Sequence, residues 1–386
     1  MIDPFYGEFL LHPSPLECSG NTCSHNCCYC FSNIRRSCRY SNIKQTLTQL
    51  KNFQSSNTYK NTLIKEKYSI CLSNRTDPFS KTNYIETLSM LEYLKNLENG
   101  IFFQTKGGYG IDEAFDILKD KKNILFYVTI TSKNNDILKL IEPNAPSYEE
   151  KLELIKKAKN NGYNVIVAFN PVVKNWLPEK DFYDIVSDVN KIGVKNFIFQ
   201  KLYLSKNDIK GFTEDRKKRF EDEILIDAVK KTSENQYYLQ SLVVELIKRG
   251  NNAVAFGMPF KTDLFKDIRS TLGKCFPSNY DVINYCFDNK VKQITFNDYK
   301  KVLNENQNDL FNKEFKGLST YIFRIARQVW KGNDKIQSIR TINDVLNAYW
   351  NYKQISGSLQ NNKLFSVAQE KDDENNLILN FNNGNY

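Results

Sequence analysis

At 386 residues, 41% of them hydrophobic and 25% charged, the chain is long enough to bury a large core and has an ordinary globular composition. No run of about 18 apolar residues could span a bilayer, and the start, MIDPFYGEFL, lacks the basic-then-apolar layout of a signal peptide. A cytoplasmic protein with no membrane partner is expected. The 54 Lys and Arg against 44 Asp and Glu give a net charge of +10, which suits a phosphate-bearing partner but is also common in Lys-rich and Asn-rich chains.

The first informative segment is NTCSHNCCYCF. Nine cysteines in a chain without an export signal argue against a disulfide framework, because the cytosol keeps thiols reduced. Their clustering points instead to metal or redox chemistry. Cys23, Cys27 and Cys30 are separated by three and then two residues. Thiolates are the usual ligands of iron–sulfur clusters, and three of them around a four-iron cubane leave one iron open. The bland alternative is a zinc site using some of these cysteines and His25, but Cys275 and Cys286 make a poor second ligand pair. Cys28 matches no ligand position. Cys18 and Cys38 could join Cys275 and Cys286 around an auxiliary cluster, yet isolated pairs more often serve as small buried residues.

Just beyond comes IRRSCRYSNIK, in which Arg35, Arg36, Arg39, Tyr40 and Lys44 form a basic, aromatic patch. Guanidinium groups pair with phosphate and aromatic rings stack on bases, so the patch suits a nucleic acid or nucleotide. An ordinary helix with a solvated basic face fits equally well.

From residue 68 to about 205, β-rich segments alternate with amphipathic ones. The expected strands are Tyr68–Ser73, Ile101–Thr105, Ile124–Thr131, Asn164–Asn170 and Asn196–Gln200, each rich in β-branched or aromatic residues. Between them Ile85, Leu88, Leu91, Leu94 and Leu97 recur at helical spacing, as do Leu152, Ile155 and Ala158, with Gly162 placed as a C-cap. Such repeats predict a parallel sheet with crossover helices, open or curled into a barrel, with reactive groups at the C-terminal ends of its strands.

Past residue 212 the pattern turns to longer helical stretches, from FTEDRKKRFEDEILIDAVKK to SLVVELIKRG. Leu318–Lys331 reads as a helix with Leu318, Ile322, Ile325 and Val329 on one face. Thr341 and Asp344 read as the cap of a final helix through Tyr352. Residues 1–211 are expected to form the core and 212–386 a mainly helical region, with a tail from about Gln369 that is mobile.

The C-x3-C-x2-C spacing, with Tyr29 before the last cysteine, resembles the signature of the radical S-adenosylmethionine (SAM) superfamily. LSNRTDPF (Leu72–Phe79), QTKGG (Gln104–Gly108), VTITS (Val128–Ser132) and IEPNAPSYEEKL (Ile141–Leu152) occur in the order seen in its spore photoproduct lyase-like branch. The resemblance covers roughly residues 10 to 205. The chain departs from that branch in Lys151, where an Arg is common, and its later region matches no known pattern. The resemblance implies a partial (β/α)6 TIM-like barrel, a 4Fe–4S cluster on Cys23, Cys27 and Cys30, and reductive cleavage of SAM with electrons from a flavodoxin or ferredoxin. It implies a DNA or nucleotide substrate; a peptide or small metabolite, or a non-catalytic iron–sulfur or zinc protein, are the alternatives.

Carried over by motif, Ser73 and Asn74 touch the amino-acid part of SAM, Lys106 pairs with its carboxylate, and Thr129 places a hydroxyl near the cofactor. A half-buried carboxylate needs such a cation or several donors. Cys71 stands where spore photoproduct lyase carries a hydrogen-donating cysteine, although a small residue packed in a buried strand is the usual meaning of Cys. Asp77–Pro78–Phe79 reads as a turn, and Glu142–Pro143 ends a helix or loop with no assigned role.

Overall fold

The computed structural model describes residues 3–4, 16–18, 23–30, 43–72, 76–210, 222–255, 261–304, 308–315, 318, 339–353 and 358–382. The chain divides into two compact units. The first is built from residues 1–2, 18–51 and 71–255, the second from 3–17, 52–70 and 256–386.

The first unit alternates strand and helix: β1 (Ile70–Leu72), α1 (Tyr84–Leu94), β2 (Ile101–Thr105), α2 (Ile111–Leu118), β3 (Ile124–Thr129), α3 (Asn135–Ile141), α4 (Tyr148–Asn160), β4 (Asn164–Val172), α5 (Glu179–Lys191) and β5 (Asn196–Lys201). Helices α6 (Asp222–Lys230) and α7 (Thr232–Lys248) then lead into β6 (Asn252–Ala255). Strands β1 to β6 are six parallel strands of one open sheet, side by side in chain order. Register runs from Ile101 against Ile124 to Asn196 against Asn252. This is the expected partial barrel. Every residue of β3 is buried, as befits a strand in the middle of a parallel sheet. The stacked rings of Phe103, Phe126 and Tyr163 show how its aromatic residues fill that core.

Several local expectations hold. Gly162 takes φ +77° just past α4, and Gly162 N–H bonds to the Lys159 carbonyl at 2.9 Å. In α1 the pattern shifts: Thr87, Met90, Leu91 and Leu94 are buried while Ile85 is 61% exposed. Methionine and threonine on the inner face blur that periodicity.

The division between units differs from the expected boundary at residue 211. The first unit continues to Ala255, because β6 extends the sheet beside β5. Four residues, NAVA, are too short to announce a strand among helical segments. The second unit holds α8 (Leu264–Leu272), α9 (Asn279–Asp288), β7 (Gln293–Ile294), α10 (Phe296–Asn304), α11 (Ile342–Asn351), β8 (Phe365–Lys371) and β9 (Leu377–Phe381). The cap predicted for α11 is present as a full capping box of Thr341 and Asp344. The segment from Gln369, expected as a mobile tail, instead lies in the antiparallel β8–β9 hairpin, with β9 also paired to β7. Its alternation of Leu377, Leu379 and Phe381 supplies an apolar side that the polar composition around it masks. Of the helix predicted over Leu318–Lys331, all but Leu318 lies outside the described residues.

Candidate active site

The C-terminal ends of the strands border a cavity that is open to solvent at its mouth. One wall carries Cys23, Cys27 and Cys30. The others are built from the ends of the strands and the loops behind them: Thr76 and Asp77 after β1, Gln104 to Lys106 at β2, Thr129 at β3, Asn170 and Pro171 on β4, and Gln200 to Tyr203 at β5.

The cysteine segment is anchored by backbone hydrogen bonds. Cys28 N–H donates to the Ile141 carbonyl at 2.9 Å, Cys30 N–H to Cys27 at 3.2 Å, and Asn144 N–H to His25 at 3.3 Å. Cys28 itself packs in an apolar cluster with Ile141, Val173, Trp176 and Leu202, which accounts for its standing outside the ligand pattern. Burial pushes the Cys23 thiol up to about 12, with Asp77 adding to the rise. Burial also raises Cys27, with Glu142 adding to the rise and Lys106 pulling it back. Buried thiols of this kind become thiolates when metal supplies the compensating charge. Among the described residues no three His, Cys, Asp or Glu side chains are gathered tightly enough for a single metal ion. A cubane takes each thiolate on a different iron, and three cysteines on one cavity wall fit that demand.

Two buried carboxylates contact this segment, through His25 and Tyr29. Asp77, 7% exposed, faces His25, with Oδ2 3.3 Å from Nε2, a charge contact longer than a well-made hydrogen bond. The other ring nitrogen, Nδ1, lies 3.1 Å from the Asn144 carbonyl. Asp77 also accepts from Phe79 N–H at 2.9 Å, the Thr105 hydroxyl at 2.7 Å and Lys106 N–H at 2.6 Å. Burial works to raise its pKa, yet the His25 charge and these donors hold it below the usual carboxylate value. Burial likewise disfavours protonated His25, but the charge and side chain of Asp77 together with the Asn144 carbonyl more than offset it, and the imidazole titrates above its ordinary range. Gly108 lets the strands' loops close here: at φ +140°, a Cβ would stand 2.3 Å from the Phe79 carbonyl oxygen.

Glu142 is the second carboxylate, and its side chain is fully buried. It lies just past the end of α3, and Lys151 in the first turns of α4 reaches it at 2.7 Å. Lys106 pairs with its other side at 3.2 Å. The hydroxyls of Tyr29 and Thr131 both donate to Oε1. Burial alone would raise the Glu142 pKa, but the two lysines hold it far below the carboxylate range. Burial depresses Lys151 more than Glu142 restores it, whereas Lys106 ends above its ordinary value because Glu142, Cys27 and Asp77 together more than offset its burial.

Of the residues predicted for the site, Cys23, Cys27, Cys30, Lys106 and Thr129 meet at this cavity. Ser73 and Asn74 lie outside the described residues, as do Arg35, Arg36, Arg39, Tyr40 and the Lys44 side chain. Cys71 is fully buried in β1 and does not line the cavity. Sequence reasoning reads Asp77 only as a turn residue, gives Glu142 no role and weighs His25 only as a zinc ligand. The signal that could have found the two carboxylates is their place inside the same motifs that carry the family resemblance.

Residues 18–189 match the model of the Radical SAM superfamily. That match covers less than half of the chain. An uncharacterized protein, ORF301, of Acidianus two-tailed virus is 29% identical over 126 residues, which is 32% of this chain and 40% of that protein. Among solved structures, a spore photoproduct lyase variant with bound AdoMet and dinucleoside spore photoproduct is 16% identical, with a TM-score of 0.41 over 57% of this chain and 63% of that one. Streptococcus suis SuiB bound to precursor peptide SuiA is 14% identical, with a TM-score of 0.43 over 63% and 48%. The chain thus spans less than two thirds of each of these three proteins. No helix among the described residues is long and apolar enough to cross a membrane.

Proposed function

We propose that this chain belongs to a radical SAM enzyme of the spore photoproduct lyase-like branch that acts on DNA or a nucleotide. The observation that carries the reading is the meeting of Cys23, Cys27 and Cys30 with Lys106 on one cavity at the strand ends. Cys23, Cys27 and Cys30 would hold a 4Fe–4S cluster whose open iron takes SAM. Cluster and SAM together supply a one-electron cleavage of the sulfonium that yields a 5′-deoxyadenosyl radical, the electron coming from a flavodoxin- or ferredoxin-type donor.

The chain's own residues orient and neutralise. Glu142 carries one negative charge between two lysines, so the buried group holds one positive charge in excess. Lys151, the closer and more buried partner, satisfies Glu142. Lys106 remains available to an incoming carboxylate such as that of SAM, with Thr129 and the Ser73–Asn74 segment as further cofactor contacts. On the β4–β5 side, Gln200 Nε2 donates to the Tyr127 hydroxyl at 3.2 Å, and Asn170 and Tyr203 stand beside them. Amides and phenol rings of this kind suit the edge and face of a base, and the net charge of +10 suits a phosphate backbone.

Anaerobic reconstitution tests the reading. The wild type should gain 4Fe–4S absorbance and, with dithionite and SAM, release 5′-deoxyadenosine. Alanine at Cys23, Cys27 or Cys30 should abolish both, while Cys28→Ala keeps them. Full cluster content in Cys27→Ala would defeat the assignment. DNA binding that weakens steeply with salt would favour the nucleic-acid substrate over a peptide or small metabolite.

A further inference from the structure

Each spacer of the cysteine motif contains one ring residue with a polar tip, and each tip meets a buried carboxylate from elsewhere in the fold. Between Cys23 and Cys27, His25 faces Asp77 at 3.3 Å. Between Cys27 and Cys30, the Tyr29 hydroxyl donates to Glu142. One residue connects the two contacts. Lys106 donates its backbone N–H to Asp77 at 2.6 Å and pairs its ammonium with Glu142 at 3.2 Å. The same ammonium lies 5.5 Å from the centre of the Tyr29 ring.

We infer that Asp77 and Glu142 are positioning residues that clamp the two halves of the cluster loop through His25 and Tyr29, with Lys106 tying the clamps together. This rests on the reading of residues 23–30 as the loop that receives the cluster. The chemistry favours clamping by carboxylates. A short loop carrying three thiols has few backbone bonds of its own, and a buried carboxylate can accept several donors at once and fix their directions. His25 and Tyr29 are rigid rings with two side-chain torsions each, so holding the tip holds the backbone on either side of Cys27. Both carboxylates are themselves held: Asp77 by Phe79, Thr105 and Lys106, Glu142 by Lys151 and Thr131. The loop is therefore shaped before any metal arrives.

Hydrogen exchange on the metal-free protein reads this directly. Glu142→Gln leaves two lysines buried without their anion, so Tyr29→Phe, which removes a single hydroxyl, carries that half of the test; Asp77→Asn carries the other. Amides of residues 23–30 should lose protection by about tenfold in each variant, as expected for losing one charge-assisted hydrogen bond or ion contact, while amides of β3 keep theirs. The two variants should also take up iron and sulfide more slowly than the wild type during anaerobic reconstitution. Unchanged protection at residues 23–30, or an equal loss in β3, would overturn the clamps, the second outcome meaning that the carboxylates support only the fold. A wild type that takes up no cluster would defeat the functional reading, yet the exchange measurement would still decide whether the loop is clamped.

Discussion

The charged group around Asp77 and Glu142 and the interior of the second unit are both buried, but they are filled by opposite means. In the second unit Tyr299 packs on Trp350 with ring centres 4.9 Å apart, Phe296 lies 6.2 Å from the same Trp350, and the indole N–H finds the Leu377 carbonyl at 2.8 Å. Apolar area does the work there, and each satisfied polar tip is a detail. The charged group instead buries Asp77, Glu142, Lys106, Lys151 and His25 within one set of contacts. Removing charges from water costs several kcal/mol per ion, and well-packed hydrophobic residues commonly serve stability as well or better. A chain that keeps such a group at the ends of its strands is using it for something other than stability.

The sharpest way to break that contrast is a nearly isosteric change on each side. Glu142→Gln should destabilise by about 3–5 kcal/mol, the usual cost of stranding a buried partner charge. Leu346→Met, at a fully buried position of α11, should cost less than about 1.5 kcal/mol. Denaturant unfolding of the metal-free proteins decides it, and equal costs would remove the distinction. The two buried carboxylates also set the acid behaviour. Glu142 and Asp77 both titrate lower in the folded protein than their ordinary values of 4.5 and 3.8. The stability they contribute is therefore complete above those ordinary values and is lost as pH falls toward the folded ones. Glu142→Gln should flatten the decline of stability below about pH 4.5, and an unchanged slope would show that other carboxylates govern acid unfolding.

A smaller effect separates the two lysines. Lys106→Ala should weaken SAM binding by about 1.5–3 kcal/mol, the value of a hydrogen bond to a charged group, and leave the cluster in place. Lys151 keeps Glu142 neutralised in that variant, so the fold should tolerate it. Calorimetry on reconstituted protein checks this, and unchanged affinity would make Lys106 purely a partner of Glu142.

How much of this is legible in the sequence depends on the range over which its signals act. The cysteine spacing and the strands from Ile101 to Lys201 are local patterns and can be read directly. The roles of Asp77 and Glu142 depend on partners far along the chain, His25 for one and Tyr29 for the other, and no local periodicity records such pairings. The boundary between units is hidden for the same reason: the second unit recruits residues 3–17 and 52–70 from the N-terminal part of the chain. The hairpin of β8 and β9 escapes because its polar, acidic surroundings match the composition of unstructured tails.

Cys71 gives the smallest expected effect and tests the border between the two kinds of interior. It is fully buried in β1, next to the Ser73–Asn74 segment in sequence, yet it is not among the residues that line the cavity. If it is packing, Cys71→Ala should cost about 1 kcal/mol of stability and leave the products of the reaction unchanged. If it donates hydrogen to a substrate radical, the variant should still bind SAM and release 5′-deoxyadenosine, because the cluster cysteines and Lys106 are untouched. The substrate radical would then lack its quencher and divert to side products visible by mass spectrometry. The burial of Cys71 away from the cavity favours the first outcome. Side products in a well-folded variant would show that β1 opens toward the cavity during turnover and would move Cys71 from the packed interior to the reactive one.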